Sequence, residues 1–176
     1  MKKLQRLTFV LGGAASGKSA YAEALAIATE LPRTYVATAQ PFDEEMRAKI
    51  AVHRALRGPG WTTIEAPLAL PQALGDIPPF RVVLLDCVTL WLSNLLLRDE
   101  PHNEDDIAEL LSALGRMPGP VIVVSNEVGQ GIVPDSALAR RFRAMQGGLN
   151  RSIAEQADTV VAVMAGLPLA FKGELP

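Results

Sequence analysis

The stretch GGAASGKS, Gly12 to Ser19, limits what this chain can fold into more than any other. It has the form G-x-x-x-x-G-K-[ST], directly after the apolar run LTFVL (7–11) and directly before the helix-forming run SAYAEALAIATE. A loop of this kind between a strand and a helix wraps a phosphate. Small residues let the backbone approach the anion, main-chain N–H groups turn inward, and the helix N-terminus adds partial positive charge. Gly12, Gly13, Ala14, Ala15, Ser16, Gly17, Lys18, Ser19 and Ala20 are therefore read as a nucleotide-binding loop. In it Lys18 meets the terminal phosphates and Ser19 ligates Mg²⁺.

The rest of the chain fits the α/β fold that such a loop needs. Short, nearly continuous apolar runs stand at 7–11, 34–37, 82–85, 121–124 and 159–164, as strands buried on both faces do. Helix-like segments lie between them. The clearest spans 136–156, with Leu138, Phe142, Leu149 and Ile153 at helical spacing behind Pro134-Asp135 as a cap. The alternation predicts a mostly parallel P-loop NTPase-type sheet flanked by helices. A chain of 176 residues, 49% hydrophobic, can bury one core, and the Pro/Gly-rich stretches at 58–60, 78–79 and 118–120 read as loops, so residues 1–176 are expected to form a single domain.

Charge and cysteine usage narrow the partners. A formal net charge of −2 without a basic stripe argues against nucleic-acid binding and for a small-molecule partner. Cys87 is the only cysteine, sits in an apolar run and reads as core in a reducing compartment. The apolar run near the N-terminus is too short for a signal sequence or a membrane span, so a cytoplasmic protein is expected.

A magnesium site on this fold takes a second ligand from the end of a neighbouring strand, and VVLLDC supplies Asp86 there. A further segment has helical composition from Asp43, its candidate N-cap, to Leu56. Glu44 and Glu45 lie in its first turn and Gly58-Pro59-Gly60 stops it. Met46, Ile50, His53 and Arg57 share one face of that helix. On residues alone His53 is a partly exposed helix histidine, His102 a solvated loop residue, and the fold could serve a kinase, a switch or a motor.

Four segments decide among these. GGAASGKSAYAEALA, YVATAQPFDEEMRAKIAVHRALRGPGWTTIEAP, LLDCVTLWLSNLL and the long stretch from VVSNEVGQGIVPD to VMAGLPL together closely resemble the adenosylcobinamide kinase/adenosylcobinamide-phosphate guanylyltransferase family of cobalamin biosynthesis. The spaced H-R-x-x-R-x-x-x-W and S-N-E-V-G-x-G-I-V-P patterns are the specific part. The resemblance implies phosphorylation of adenosylcobinamide with ATP or GTP, followed by transfer of GMP from GTP to give adenosylcobinamide-GDP and pyrophosphate. It implies that His53 carries GMP covalently, as a neutral imidazole attacking the α-phosphorus can. Arg54 and Arg57 would neutralise phosphate charge. Thr38, Ala39 and Gln40 fall where the family contacts nucleotide, and Glu65 matches its acidic contact, able to accept from guanine N1–H and N2–H₂. Asn126 and Glu127 end a strand beside these without an assigned role. A trimer is implied as well. Ala15 departs from the family's usual G-G-A-R-S-G-K-S, removing a side-chain charge but no backbone donor. The rivals are a monofunctional P-loop kinase and a noncatalytic nucleotide-responsive binding module.

Overall fold

The computed structural model describes residues 4–40, 44, 47, 48, 51, 55, 57–98 and 103–176. Seven strands, β1 (Leu7–Gly12), β2 (Arg33–Ala37), β3 (Trp61–Glu65), β4 (Val82–Asp86), β5 (Val121–Asn126), β6 (Thr159–Met164) and β7 (Leu167–Lys172), form one sheet in the order β3-β2-β4-β5-β1-β6-β7. All neighbours are parallel except β6 and β7, which pair antiparallel. The helices are α1 (Lys18–Ala28), α2 (Leu70–Gly75), α3 (Val88–Leu97), α4 (Asn103–Arg116) and α5 (Ala137–Gln156). Glu44, Arg47, Ala48, Ala51, Ala55 and Arg57 are helical too, in the segment expected to be a helix.

The five apolar runs are strands because each is covered on both faces. Leu7, Phe9, Val83, Leu85, Val121 and Val123 point to one face, under α2, α3, α4 and α5. Their neighbours Val10, Val82, Leu84, Ile122 and Val124 point to the other, under Ala22 and Ala26 of α1. This period of two within unbroken apolar sequence is the mark of a central parallel strand. Trp91 of α3, fully buried, donates from Nε1 to Leu68 O at 3.0 Å, so its one polar atom is satisfied inside the core.

Two strands lie beyond the apolar runs. β3 is the edge strand and is largely exposed, and β7 forms the other edge with a proline in it, as an edge allows. The β6–β7 connection is Ala165-Gly166 with φ of 51° and 79°, the pair of positive values a two-residue hairpin turn demands. The cap of α5 also differs from expectation. Ser136, one residue after Pro134-Asp135, holds that place, accepting from Ala139 N at 3.4 Å.

Candidate functional site

Parallel pairing lines up the strand ends on one edge of the sheet. Gly12 lies opposite Asn126, Asp86 opposite Val124 and Ala37, and Ala37 opposite Glu65. The sequence-predicted residues at these strand ends therefore face one crevice edge, where ligands bind in open α/β sheets.

The loop after β1 is built to close on an anion. Gly17 has φ 93°, a conformation only glycine adopts readily, and a Cβ there would approach Gly166 Cα to 3.2 Å. Gly12 is equally constrained, since a Cβ would lie 2.6 Å from Val163 O. Ser16 N donates to Gly13 O at 3.3 Å, and Gly166 N donates to Ser16 O at 2.8 Å, so the hairpin turn braces the loop from outside. Lys18 is buried and folds its Nζ back onto Gly13 O at 3.0 Å. An ammonium on a long side chain, held over main-chain dipoles by one such bond, meets phosphate as a point charge. Ala15 is exposed with φ 54°, a left-handed conformation uncommon for a residue that carries a side chain. Ser19, half-buried, stands in the first turn of α1.

Asp86 ends β4 but does not cap α3. Cys87 holds the N-cap position without a side-chain cap bond, while Asp86 Oδ2 accepts from the Tyr35 hydroxyl at 3.3 Å. A serine hydroxyl and a strand-end carboxylate are the hard oxygen donors that Mg²⁺ takes from a protein when phosphates and waters supply the rest. Among the described residues no group of three or more His, Cys, Asp or Glu could hold a metal unaided.

Tyr35 is the hub of a second cluster. Arg57 places its guanidinium carbon 3.3 Å from the Tyr35 ring centre and its Nε 4.0 Å from Glu23 Oε1 of α1. The Arg57 side chain is only 6% exposed, so its charge is seated inward against the sheet. Burial raises the Tyr35 phenol far above its ordinary value of 10.0, Asp86 and Glu23 add to the rise, and Arg57 opposes it.

Thr38 is fully buried. Its Oγ1 donates to Cys87 O at 2.7 Å and accepts from Cys87 N at 3.0 Å, and its carbonyl accepts from Asn94 Nδ2 at 2.8 Å. The same Asn94 amide reaches Pro67 O at 3.0 Å, tying together the turns after β2 and β3. Thr38 thus fixes the turn behind Asp86, and Ala39 and Gln40, which follow it, are half-buried. Glu65 is exposed at the far edge, four strand spacings from β1, or about 19 Å at about 4.8 Å each. His53, Arg54 and His102, with the expected N-cap Asp43 and the face residues Met46 and Ile50, lie outside the described residues.

One feature of the site was not readable from spacing. Thr89, Ser125, Gln146 and Asn150, all buried, form a hydrogen-bonded network under the end of β5. Its only sequence signal is a set of polar residues inside otherwise core-facing segments.

A nucleotide loop on a parallel sheet with β5 inserted between the loop strand and the acidic strand defines a P-loop nucleotide-dependent enzyme fold. Solved structures agree at the level of fold. The flagellar accessory protein FlaH from Methanocaldococcus jannaschii matches with a TM-score of 0.54 at 15% identity, over 98% of this chain and 80% of that one. The RadB recombinase matches at 0.52 and 16%, over 91% and 74%. Residues 8–171 match the family described as cobinamide kinase / cobinamide phosphate guanyltransferase, and the chain belongs to that family. Relatives include the bifunctional adenosylcobalamin biosynthesis protein CobP of Pseudomonas aeruginosa, 49% identical over 94% of this chain and 96% of its own length. The bifunctional protein CobU of Escherichia coli is 41% identical over 94% and 99%. These relatives favour the bifunctional reading over a monofunctional kinase.

Proposed function

We propose that the protein phosphorylates the aminopropanol hydroxyl of adenosylcobinamide with ATP or GTP, and then transfers GMP from GTP to that phosphate, releasing pyrophosphate. The observation that carries this reading is that one family match, residues 8–171, spans both the phosphate loop and the segment from His53 to Trp61. Lys18 and the main-chain N–H groups of residues 13–19 hold the transferred phosphoryl group. Ser19 and Asp86 would hold Mg²⁺, which when bound neutralises phosphate charge. Tyr35 orients Asp86 by its hydroxyl.

His53 is the residue proposed to carry GMP, with Arg54 beside it to neutralise phosphate charge. Arg57 adds positive charge from its seat on Tyr35, and Glu65 reads guanine with Ala39 and Gln40 lining the nucleotide beside it. That assignment lays the guanylylating nucleotide across the β2–β3 end of the sheet. A homo-oligomer, a trimer by the family resemblance, and a cytoplasmic location belong to the same proposal. No helix among the described residues is long and apolar enough to cross a membrane.

The test is direct. Purified protein with adenosylcobinamide, Mg²⁺ and GTP should yield adenosylcobinamide phosphate first and adenosylcobinamide-GDP plus pyrophosphate second. Nucleotide binding with no corrinoid turnover would leave the noncatalytic binding module as the better account.

A further inference from the structure

Three carboxylates stand at strand ends on the phosphate side of the sheet among the described residues: Glu65, Asp86 and Glu127. Measured across the sheet from β1, Glu65 is four strands away, Asp86 two, and Glu127 one. Glu127 is tied to the loop strand itself, its N–H donating to Gly12 O at 3.1 Å and extending the β1–β5 ladder by one bond. A group that takes the proton from an acceptor hydroxyl must lie within hydrogen-bond reach of that hydroxyl as it meets the γ-phosphorus. Asp86 accepts from the Tyr35 hydroxyl and is the residue proposed above to hold Mg²⁺, and Glu65 is too far along the edge.

The backbone that carries Glu127 is held by side chains on both sides. Asn126 N donates to Thr89 Oγ1 at 2.7 Å, and Asn126 O accepts from Asn150 Nδ2 at 3.3 Å. Behind these, Ser125 Oγ donates to Asn150 Oδ1 at 2.7 Å, and Gln146 Nε2 donates to both Ser125 Oγ and Asn150 Oδ1 at 2.9 and 2.8 Å. Burying four polar side chains is costly unless they bond one another, and what the network achieves is to lock both peptide groups around Asn126. An apolar core at these positions would leave those peptide groups unheld.

The carboxylate is held as well. Glu127 Oε1 accepts from Gly129 N at 2.5 Å, and any side chain at 129 would crowd it, since a Cβ would stand 2.7 Å from that oxygen. Arg143 donates to Gly129 O and, at 3.3 Å, to Ile132 O, which ties the loop after Glu127 to α5. Arg143, Gln146 and Asn150 lie on one face of α5 at spacings of three and four, so a single helix face brackets the whole turn. Glu127 remains exposed, with one oxygen anchored.

The geometry points to Glu127 as the catalytic residue that accepts the proton of the acceptor hydroxyl in the phosphorylation half-reaction, an assignment resting on the cobinamide kinase reading above. The hydroxyl oxygen forms a bond to the γ-phosphorus as the bond from that phosphorus to the β–γ bridging oxygen breaks. The bridging oxygen leaves with the electron pair on the nucleoside diphosphate, and the hydroxyl proton passes to Glu127 and then to solvent. Anchoring by Gly129 N–H fixes which oxygen takes it.

Glu127→Gln tests this, because an amide oxygen keeps the Gly129 bond but cannot take a proton. With adenosylcobinamide, Mg²⁺ and ATP or GTP, kcat for phosphorylation should fall about 10²-fold or more, with KM for both substrates within a few-fold of the parent. GMP transfer to pre-phosphorylated cobinamide, read on the same preparation, should persist and reports an intact fold. A kcat within a few-fold of the parent overturns the assignment. So do a loss recovered by raising Mg²⁺, which makes Glu127 a metal ligand, a loss confined to the cobinamide KM, and a parallel fall of both half-reactions. If the parent protein itself fails to phosphorylate cobinamide, the functional reading fails first, and that outcome is seen without any variant.

Discussion

The guanidinium of Arg57 stacks on the Tyr35 ring with its central carbon 3.3 Å from the ring centre, on the same face of the sheet as α1. Glu23 of α1 completes the pairing, and Tyr35 passes the contact on to Asp86. The end of the His53 segment is thus pinned to the strand next to the acidic strand. A desolvated cation–π contact contributes about 2 kcal/mol. Arg57→Ala should lower Tm by about 5 °C, with Arg57→Lys in between because lysine keeps the charge but not the stacked plane. A scanning-calorimetry Tm unchanged in Arg57→Ala would show that the stack contributes nothing.

Cys87 sets an alkaline limit on stability. Burial pushes its thiol from an ordinary 9.0 up to about 11, and the adjacent Asp86 carboxylate adds to the rise. A raised pKa means the native state keeps the proton that the unfolded chain releases. The stabilisation is therefore complete below pH 9 and is lost as pH rises towards 11, at about 1.4 kcal/mol per unit across that window. Tyr35 acts with the same sign above pH 10. Urea unfolding at pH 8 and pH 10.5 should show a smaller loss of stability for Cys87→Ala than for the parent protein. Equal losses would assign the alkaline limb to other groups.

How much of this was legible in the sequence depended on where each residue's constraint comes from. The glycine-rich loop between β1 and α1, the place of Asp86 at the end of β4 and the five central strands are local patterns, set by backbone geometry and two-sided burial, and their positions in the fold are where the spacing predicts. β3 and β7 escape that reading because an edge strand needs no continuous apolar run, and Trp61–Glu65 and Leu167–Lys172 expose most of their side chains. Thr38 shows a different limit. Its position after β2 was legible, but not that its hydroxyl is consumed by both peptide groups of Cys87. The Thr89–Ser125–Gln146–Asn150 network depends on three elements meeting in three dimensions, and no single spacing carries it.

Lys18 tests the loop itself. Lys18→Ala removes the buried ammonium that rests on Gly13 O, and cobinamide phosphorylation should fall about 10²-fold or more in kcat. Steady-state kinetics with near-parental turnover would show that the phosphates lie elsewhere.

Glu65 is proposed to read guanine. Glu65→Gln replaces one acceptor by a donor that faces the guanine donors, so discrimination of GTP over ATP in GMP transfer should shrink about tenfold or more, while phosphorylation at the distant loop changes little. Competition between the two nucleotides in the transfer assay measures this, and unchanged selectivity would remove Glu65 from base recognition.

One chain is proposed to carry both a phosphorylating loop and a guanylylated histidine. Intact-mass analysis after incubation with GTP and Mg²⁺ should show a GMP adduct on the parent protein, labile in acid and stable in alkali as a phosphoramidate is, mapping to His53. His53→Ala should lose both the adduct and GMP transfer while still phosphorylating adenosylcobinamide. A His53→Ala protein that still gains the mass of GMP, or a parent protein that transfers GMP with no adduct at any time, would contradict the account.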